Sequence, residues 1–152
     1  MIVPVDETNI AAAGAVHAES WRESHSFCTP EFVAAHTAET QTEYLRREMD
    51  AGKALFLLLD PEPVGVVSVQ EDLIENLYVL PEKQGRGYGS ALLRAAEDHL
   101  RDHGCEGFCL WVMCANTRSI SFYLRKGYRP SGRMQSERYG EADVELMELV
   151  KD

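Results

Sequence analysis

Apolar and polar positions repeat along this chain with two periods, and the places where the period changes divide it into elements. Ile2 to Val5 is a short apolar run of strand type. From Thr8 to about His25 small and apolar residues return every three or four positions, with Ile10, Ala13, Val16 and Ala18 or Ser20 facing inward. Asp6 or Thr8 is placed to cap that helix. Thr29-Pro30-Glu31 starts a short second helix with a hydroxyl cap, proline and an acid in the first turn. Thr37 caps a third, about Ala38 to Ala51, which turns Tyr44, Leu45 and Met49 inward and stops at Gly52. The period then shortens. Lys53 to Leu59 is a continuous apolar run, Asp60-Pro-Glu-Pro63 is a turn, Val64 to Gln70 is its hairpin partner, and Leu73 to Leu80 is a further strand. Helical spacing returns from about Gly87 to Arg101, with Leu92, Leu93, Ala96 and Leu100 inward and Gly104 as the stop. Glu106 to Met113 reads as a strand. Asn116 to Lys126 reads as a helix capped at Asn116 or Thr117, and Tyr128–Tyr139 with Ala142–Val150 as a hairpin turning at Gly140. The chain is therefore expected to be mixed α/β, one domain over residues 1–152.

Composition narrows the partners. The net charge is −10, which repels polyanions, so neither nucleic acid nor an anionic membrane is an expected partner. No apolar run approaches the ~20 residues of a membrane span, and the first residues lack a basic, signal-like start, so a cytoplasmic location is expected. Cys28, Cys105, Cys109 and Cys114 match no common zinc spacing and read as small buried thiols; no metal is expected.

The stretch with the most chemistry is Leu77-Tyr-Val-Leu-Pro-Glu-Lys-Gln-Gly-Arg-Gly-Tyr-Gly-Ser90. A strand runs into alternating glycines, Gly85, Gly87 and Gly89, and a helix starts directly after them. Free N–H groups and the positive end of the helix dipole then point into one space, which suits a phosphate. The spacing is not G-x-G-x-x-G and there is no G-K-[ST], so neither a dinucleotide fingerprint nor a nucleoside-triphosphate loop is present.

Here the chain resembles the GNAT superfamily of acetyl-CoA-dependent N-acyltransferases. Three features carry the resemblance: Q-x-R-G-x-G at Gln84–Gly89, the preceding strand Ile74-Glu-Asn-Leu-Tyr-Val-Leu-Pro81, and Asn116-Thr-Arg-Ser-Ile-Ser-Phe-Tyr123 followed by Gly127-Tyr128. The order of elements agrees over nearly the whole chain. The resemblance implies a mixed, mostly antiparallel central sheet with splayed central strands, flanked by helices, and acetyl-CoA as co-substrate. Position by position, it implies that the backbone of Leu77, Tyr78 and Val79 pairs with the pantetheine arm. Gln84, Gly85, Arg86, Gly87, Tyr88, Gly89 and Ser90 would hold the pyrophosphate, and Asn116 would bond the arm. Tyr123 would stand at the thioester sulfur and protonate the departing thiolate, as a phenol protonated at neutral pH can.

Transfer to an amine also needs a proton acceptor. Glu75 is the first candidate, with Glu71, Asp72 and His25 as alternatives; His17, His36, His99 and His103 read as surface or packing residues. No nucleophilic side chain is required. The acceptor site would lie between the first helices and the terminal hairpin, shaped by Trp21, Arg22, His25, Phe27, Tyr44 and Tyr139. Its occupant would be a small-molecule amine or a peptide or protein amine, and a homodimer is compatible with the family. Two other classes use the same glycine turn: a non-catalytic acyl-CoA-binding module and a nucleotide-binding regulator.

Overall fold

A computed structural model describes residues 1–152. The strands are β1 (Ile2–Pro4), β2 (Ala54–Leu59), β3 (Pro63–Gln70), β4 (Leu73–Val79), β5 (Phe108–Met113), β6 (Arg129–Tyr139) and β7 (Ala142–Lys151). The helices are α1 (Ile10–Ser24), α2 (Pro30–Ala34), α3 (Ala38–Asp50), α4 (Tyr88–Asp102) and α5 (Thr117–Arg125), with a short 3₁₀ turn at Pro81–Lys83. They follow the sequence periodicity closely. The start of α1 differs: Asp6 caps no helix amide but folds back on Thr8, accepting from its N–H at 2.8 Å, and Asn9 becomes the helix boundary. A short side chain two residues from a free N–H closes that local turn more readily than it reaches the helix. The thiols differ as well, since Cys28 is buried and the other three are only half-buried.

The seven strands form one sheet in the order β1-β2-β3-β4-β5-β7-β6, antiparallel except between β4 and β5. β3 is buried on both faces, which explains its almost unbroken apolar sequence. Val67 and Val69 pack with Leu92, Leu93, Ala96 and Leu100 of α4, and Val66 packs on the other face with Ile10, Ala13 and Val16 of α1 and Leu45 of α3. The sheet thus has a core on each side. No helix is long and apolar enough to cross a membrane.

Two irregularities in β4 interrupt the sheet. Val66 pairs with Tyr78 and Ser68 with Glu75, so Val67 alone faces Asn76 and Leu77. The extra residue is a β-bulge, and Asn76 takes a left-handed φ of 54°, which asparagine tolerates better than most residues. On its other edge β4 pairs with β5 at one position only, Leu73 with Cys109. β5 instead runs its full length beside β7, Phe108 against Lys151 through Met113 against Leu146. The sheet splits at the C-terminal ends of β4 and β5.

Gly14 sets the approach of α1 to α3. A Cβ there would lie 2.0 Å from Thr42 Oγ1 and 2.9 Å from Thr42 Cα. Helix propensity alone favours alanine over glycine by up to ~1 kcal/mol, but forcing two packed helices apart costs about 1–3 kcal/mol. Gly14→Ala is therefore expected to destabilise the fold by about 1–2 kcal/mol, read as a lower denaturation midpoint at unchanged m-value. A gain in stability would show that the helices are not packed through this position.

Candidate active site

The glycine turn has the properties its sequence predicts. Gly85 and Gly87 adopt φ of 79° and 88°, conformations that side chains disfavour, and a Cβ added at either would meet nothing within 4 Å. Both face open space. Gly87 is the N-cap of α4 and offers no capping side chain. In this region the backbone bonds Gln84 N–H to Pro81 O and Ala91 N–H to Gly87 O, and the N–H groups of every residue from Gly85 to Ser90 between them donate to no protein acceptor. Consecutive free donors at the positive end of a fifteen-residue helix make an anion site. Arg86 Nη2 reaches back to Glu82 O at 3.4 Å, and the Tyr88 hydroxyl donates to Asp60 at 2.6 Å, so both side chains steady the turn. Gln84 donates from Nε2 to Val79 O at 3.2 Å, fastening the turn to the end of β4.

The split between β4 and β5 opens a cleft of about 1120 Å³. One wall is the exposed edge of β4, Leu73 to Val79, and it reaches Gln84; residues 85–90 lie beyond this lining, at its rim. The facing wall is β5 and the start of α5, with Asn116, Arg118, Ser119 and Tyr123. Asn116 caps α5, its Oδ1 accepting from Ser119 N–H at 3.1 Å, so only its amide N–H₂ is left to bond elsewhere. Tyr123 packs edge-on to Phe122 and Tyr128 with centroids 5.1 Å and 5.8 Å away. Burial, and next the nearby Tyr78, push its pKa well above the ordinary phenol value, so it is a hydrogen donor throughout the neutral range. No cysteine lines the cleft.

The third wall comes from the helices and the hairpin. Trp21 of α1 lies between two imidazoles, His25 at 4.0 Å and 6° and His36 at 3.5 Å and 14°. Separations so short leave room for only one ring on each indole face. His25 Nδ1–H donates to Trp21 O at 2.9 Å, so in the neutral ring Nε2 keeps its lone pair. Tyr139 meets His25 edge-on at 4.9 Å and donates to Glu137 at 2.8 Å. The turn of the hairpin rests on α2, since a Cβ on Gly140 would touch the Phe32 ring at 3.0 Å. Trp21, His25, Phe27, Tyr44 and Tyr139 all line the cleft, as does Glu75; Arg22 is turned away and donates to His36 O at 2.6 Å. Glu75 is ion-paired with Lys53, which also holds Glu48 at 2.8 Å. Glu71 and Asp72 do not line the cleft.

Sequence reasoning missed three contributors. The Tyr78 side chain, not only its backbone, lines the cleft, and burial raises its pKa. His17 and Ser20 of α1 also line it, almost wholly buried at 2% and 3% exposure. The detectable signal was a polar stripe, His17, Ser20 and Ser24, on a helix face that otherwise reads as inward. Together the walls make a passage with an anion site at its rim, a free strand edge along it, a phenol donor on one side and an aromatic, hydrogen-bonding chamber on the other. Such a passage can hold an extended phosphorylated ligand end-on to a small polar molecule.

A model of the "Acetyltransferase (GNAT) family" matches residues 18–128. An aminoglycoside N(6')-acetyltransferase type 1 of Klebsiella aerogenes is 26% identical over 134 residues, 84% of this chain and 88% of the relative. A GCN5-related N-acetyltransferase from Rhodopseudomonas palustris shares the fold with a TM-score of 0.76 at 19% identity, covering 100% of this chain and 94% of that one. The PaiA N-acetyltransferase from Thermoplasma acidophilum, solved in complex with coenzyme A, superposes with a TM-score of 0.70 at 21% identity over 97% and 96% of the two chains.

The buried imidazoles make stability depend on pH. Burial lowers the His17 pKa from 6.5 to about 4, with Asn76 and Gln41 beside it countering only part of the effect. Between those values the unfolded chain binds a proton that the folded chain refuses, so stability falls as the solution is acidified from about 6.5 to 4. The full loss is on the order of 3 kcal/mol. His25, lowered chiefly by burial, adds in the same direction. Urea unfolding of the wild type at pH 7 and pH 4.5 is expected to show this loss, and His17→Phe to remove most of the His17 part. An equal slope in the variant would mean that His17 titrates normally.

Proposed function

The chain belongs to the acetyltransferase (GNAT) family, and from that premise we propose that it is an acetyl-CoA-dependent N-acetyltransferase that moves the acetyl group directly to a primary amine. The observation that carries this reading is the run of unpartnered N–H groups from Gly85 to Ser90, set at the end of the β4 edge that the split in the sheet leaves free. The residues fit coenzyme A: an anion site with no Cβ in the way at Gly85 and Gly87, then the β4 edge with Leu77, Tyr78 and Val79, then a donor amide at Asn116.

Bound acetyl-CoA supplies a thioester that the amine attacks at the carbonyl carbon, with the thiolate as leaving group. The chain's part is to orient the arm along β4, to offer a backbone N–H near Val79 to the carbonyl oxygen, and to keep water out. Tyr123, held protonated by burial, donates its hydrogen to the departing sulfur. Glu75 takes the ammonium proton; its bond to Lys53 fixes the carboxylate in the cleft. A second proton acceptor is favoured by a specific observation, the lone pair left on His25 Nε2 by the Nδ1–H bond to Trp21 O. Direct transfer is supported by a lining that contains no thiol. Trp21, His25 and Tyr139 shape the acceptor chamber.

Thiol release from acetyl-CoA across a panel of amines tests the reading. Tyr123→Phe is expected to lower kcat by roughly 100-fold while coenzyme A affinity, measured by calorimetry, stays within about twofold; an unchanged rate removes Tyr123 from the mechanism. Gly87→Val, which puts a β-branched residue at a φ of 88° beside the free amides, is expected to weaken coenzyme A binding by at least about tenfold. Binding without turnover on any amine would leave an acyl-CoA-binding module. In the pH–rate profile Glu75→Gln should flatten the alkaline-rising limb; if His25→Gln flattens it instead, His25 is the base.

A further inference from the structure

Four buried polar side-chain atoms make no hydrogen bond in this molecule; Glu75 Oε1 is ion-paired with Lys53, and the other three belong to one helix face. His17 Nδ1, His17 Nε2 and Ser20 Oγ are buried and make no hydrogen bond of acceptable distance and angle, although the Asn76 and Gln41 amides stand close enough to the ring to oppose part of the effect of burial. Leaving such an atom unpaired costs about 1–3 kcal/mol, and folded proteins keep few of them. A Phe or Leu at position 17 and an Ala at position 20 would pack the same space without that cost. Both residues line the cleft. The His17 ring is fixed edge-on against Tyr78 at 5.0 Å and tilted against Tyr44 at 5.5 Å, so its nitrogens are held beside the bulged strand.

The surroundings define what would satisfy them. Gln41, Tyr44 and Asn76 complete this part of the wall, the Asn76 amide donating to the Tyr44 hydroxyl at 3.3 Å. None of these groups carries a charge at neutral pH, since burial keeps the imidazole neutral. A neutral imidazole offers one lone pair and one N–H, and a serine hydroxyl offers both functions again. Glu75, the carboxylate on the neighbouring bulged strand, is already paired with Lys53. The wall therefore matches an uncharged group that donates and accepts at once, which a hydroxyl or an amide does and a carboxylate, a phosphate or an alkyl chain does not.

We propose that His17 and Ser20 form the specificity pocket of the acceptor site, and that the acceptor is a small amine carrying a hydroxyl or amide group a few bonds from its reacting nitrogen. This rests on the acetyltransferase reading for the identity of the other half of the cleft. His17 and Ser20 act as positioning residues: the hydrogen bonds they make to the acceptor's polar group aim its nitrogen toward the strand edge.

The test compares 3-aminopropan-1-ol with n-butylamine, a pair that differs by hydroxyl against methyl, on the full-length protein saturated with coenzyme A. Binding is followed by NMR of the histidine ring signals. The hydroxylated amine is expected to bind about tenfold more tightly than the alkylamine, the worth of one or two neutral hydrogen bonds, and to shift the His17 ring signal. His17→Phe keeps the ring packing and should abolish the preference; His17→Gln, which retains a donor and an acceptor, should restore part of it. Ser20→Ala should reduce it with the aromatic packing untouched, and so serves if the His17 variants do not fold. Coenzyme A affinity should be unchanged in every variant. Equal affinity for the two amines, no binding of the hydroxylated one, or a preference that survives in both His17→Phe and Ser20→Ala overturns the proposal. Thiol release separates the two readings. Turnover of both amines with no preference leaves the acetyltransferase and removes the pocket, whereas a hydroxyl preference in binding with no thiol release from any amine leaves the pocket and removes the acetyltransferase.

Discussion

A one-residue mismatch in β4 is the constraint on which the rest of this structure depends. Val67 faces both Asn76 and Leu77, so the strand bends and its twist increases at the point where β5 should continue beside it. Beyond Leu73 and Cys109 the two strands have no pairing left. Exposed strand edges are hazards in most proteins because their N–H and C=O groups invite another chain. Here the open edge lies inside a cleft, walled by α1, α5 and the β6–β7 hairpin. The bulge also reverses which side chains face which way: Leu77 packs toward the α4 core and Tyr78 toward the α1 side.

A split sheet survives only if each half has its own support. β5 is held on its other edge by β7, pairing over its whole length, and Tyr128 and Leu149 join its inner face to the α4 core. Tyr128 further donates to the buried Glu97 of α4 at 2.7 Å, which Lys151 of β7 also approaches at 3.2 Å. On the other half, the face of β2 and β3 opposite α4 is covered by α1 and α3, which approach closely enough that Gly14 meets Thr42. The α4 core runs under both halves of the split, so the cleft is a gap on the opposite face, between the β5–β7 strands and the α1–α3 layer, and its width is set by rigid elements.

Much of this was legible in the sequence. The elements, their order and the glycine turn follow from periods of 2.0 and 3.6 broken by glycine and proline, signals that are local. What was hidden depends on contacts between distant positions. The family resemblance implied a bulge in the strand Ile74–Pro81, and one is there, but nothing around Asn76 marks it as the left-handed residue, because asparagine is ordinary in strands' irregular ends and the position is defined by its pairing with Val67. Glu75 was visible as a carboxylate on the strand before the glycine turn, but Lys53, which engages it, comes from the turn before β2. Asp6 was visible as a cap and became a turn, because two nearby donors compete for one side chain.

His17 was hidden for a more general reason. Helical periodicity reports that a position is turned inward; it does not say whether inward means core or cleft. α1 does both along one stripe. Its first half, Ile10, Ala13 and Val16, packs against the sheet. Its second half, His17, Ser20, Trp21 and Ser24, lines the cleft. A chamber wall on the continuation of a packed helix inherits that helix's rigidity, as a loop would not. The Trp21 indole, held between His25 and His36, extends the same rigidity into the aromatic part of the wall. Under the proposed function, specificity for the acceptor falls to α1 and the hold on coenzyme A to β4, the glycine turn and α5. The two can vary independently, because they share only the bulged strand that separates them.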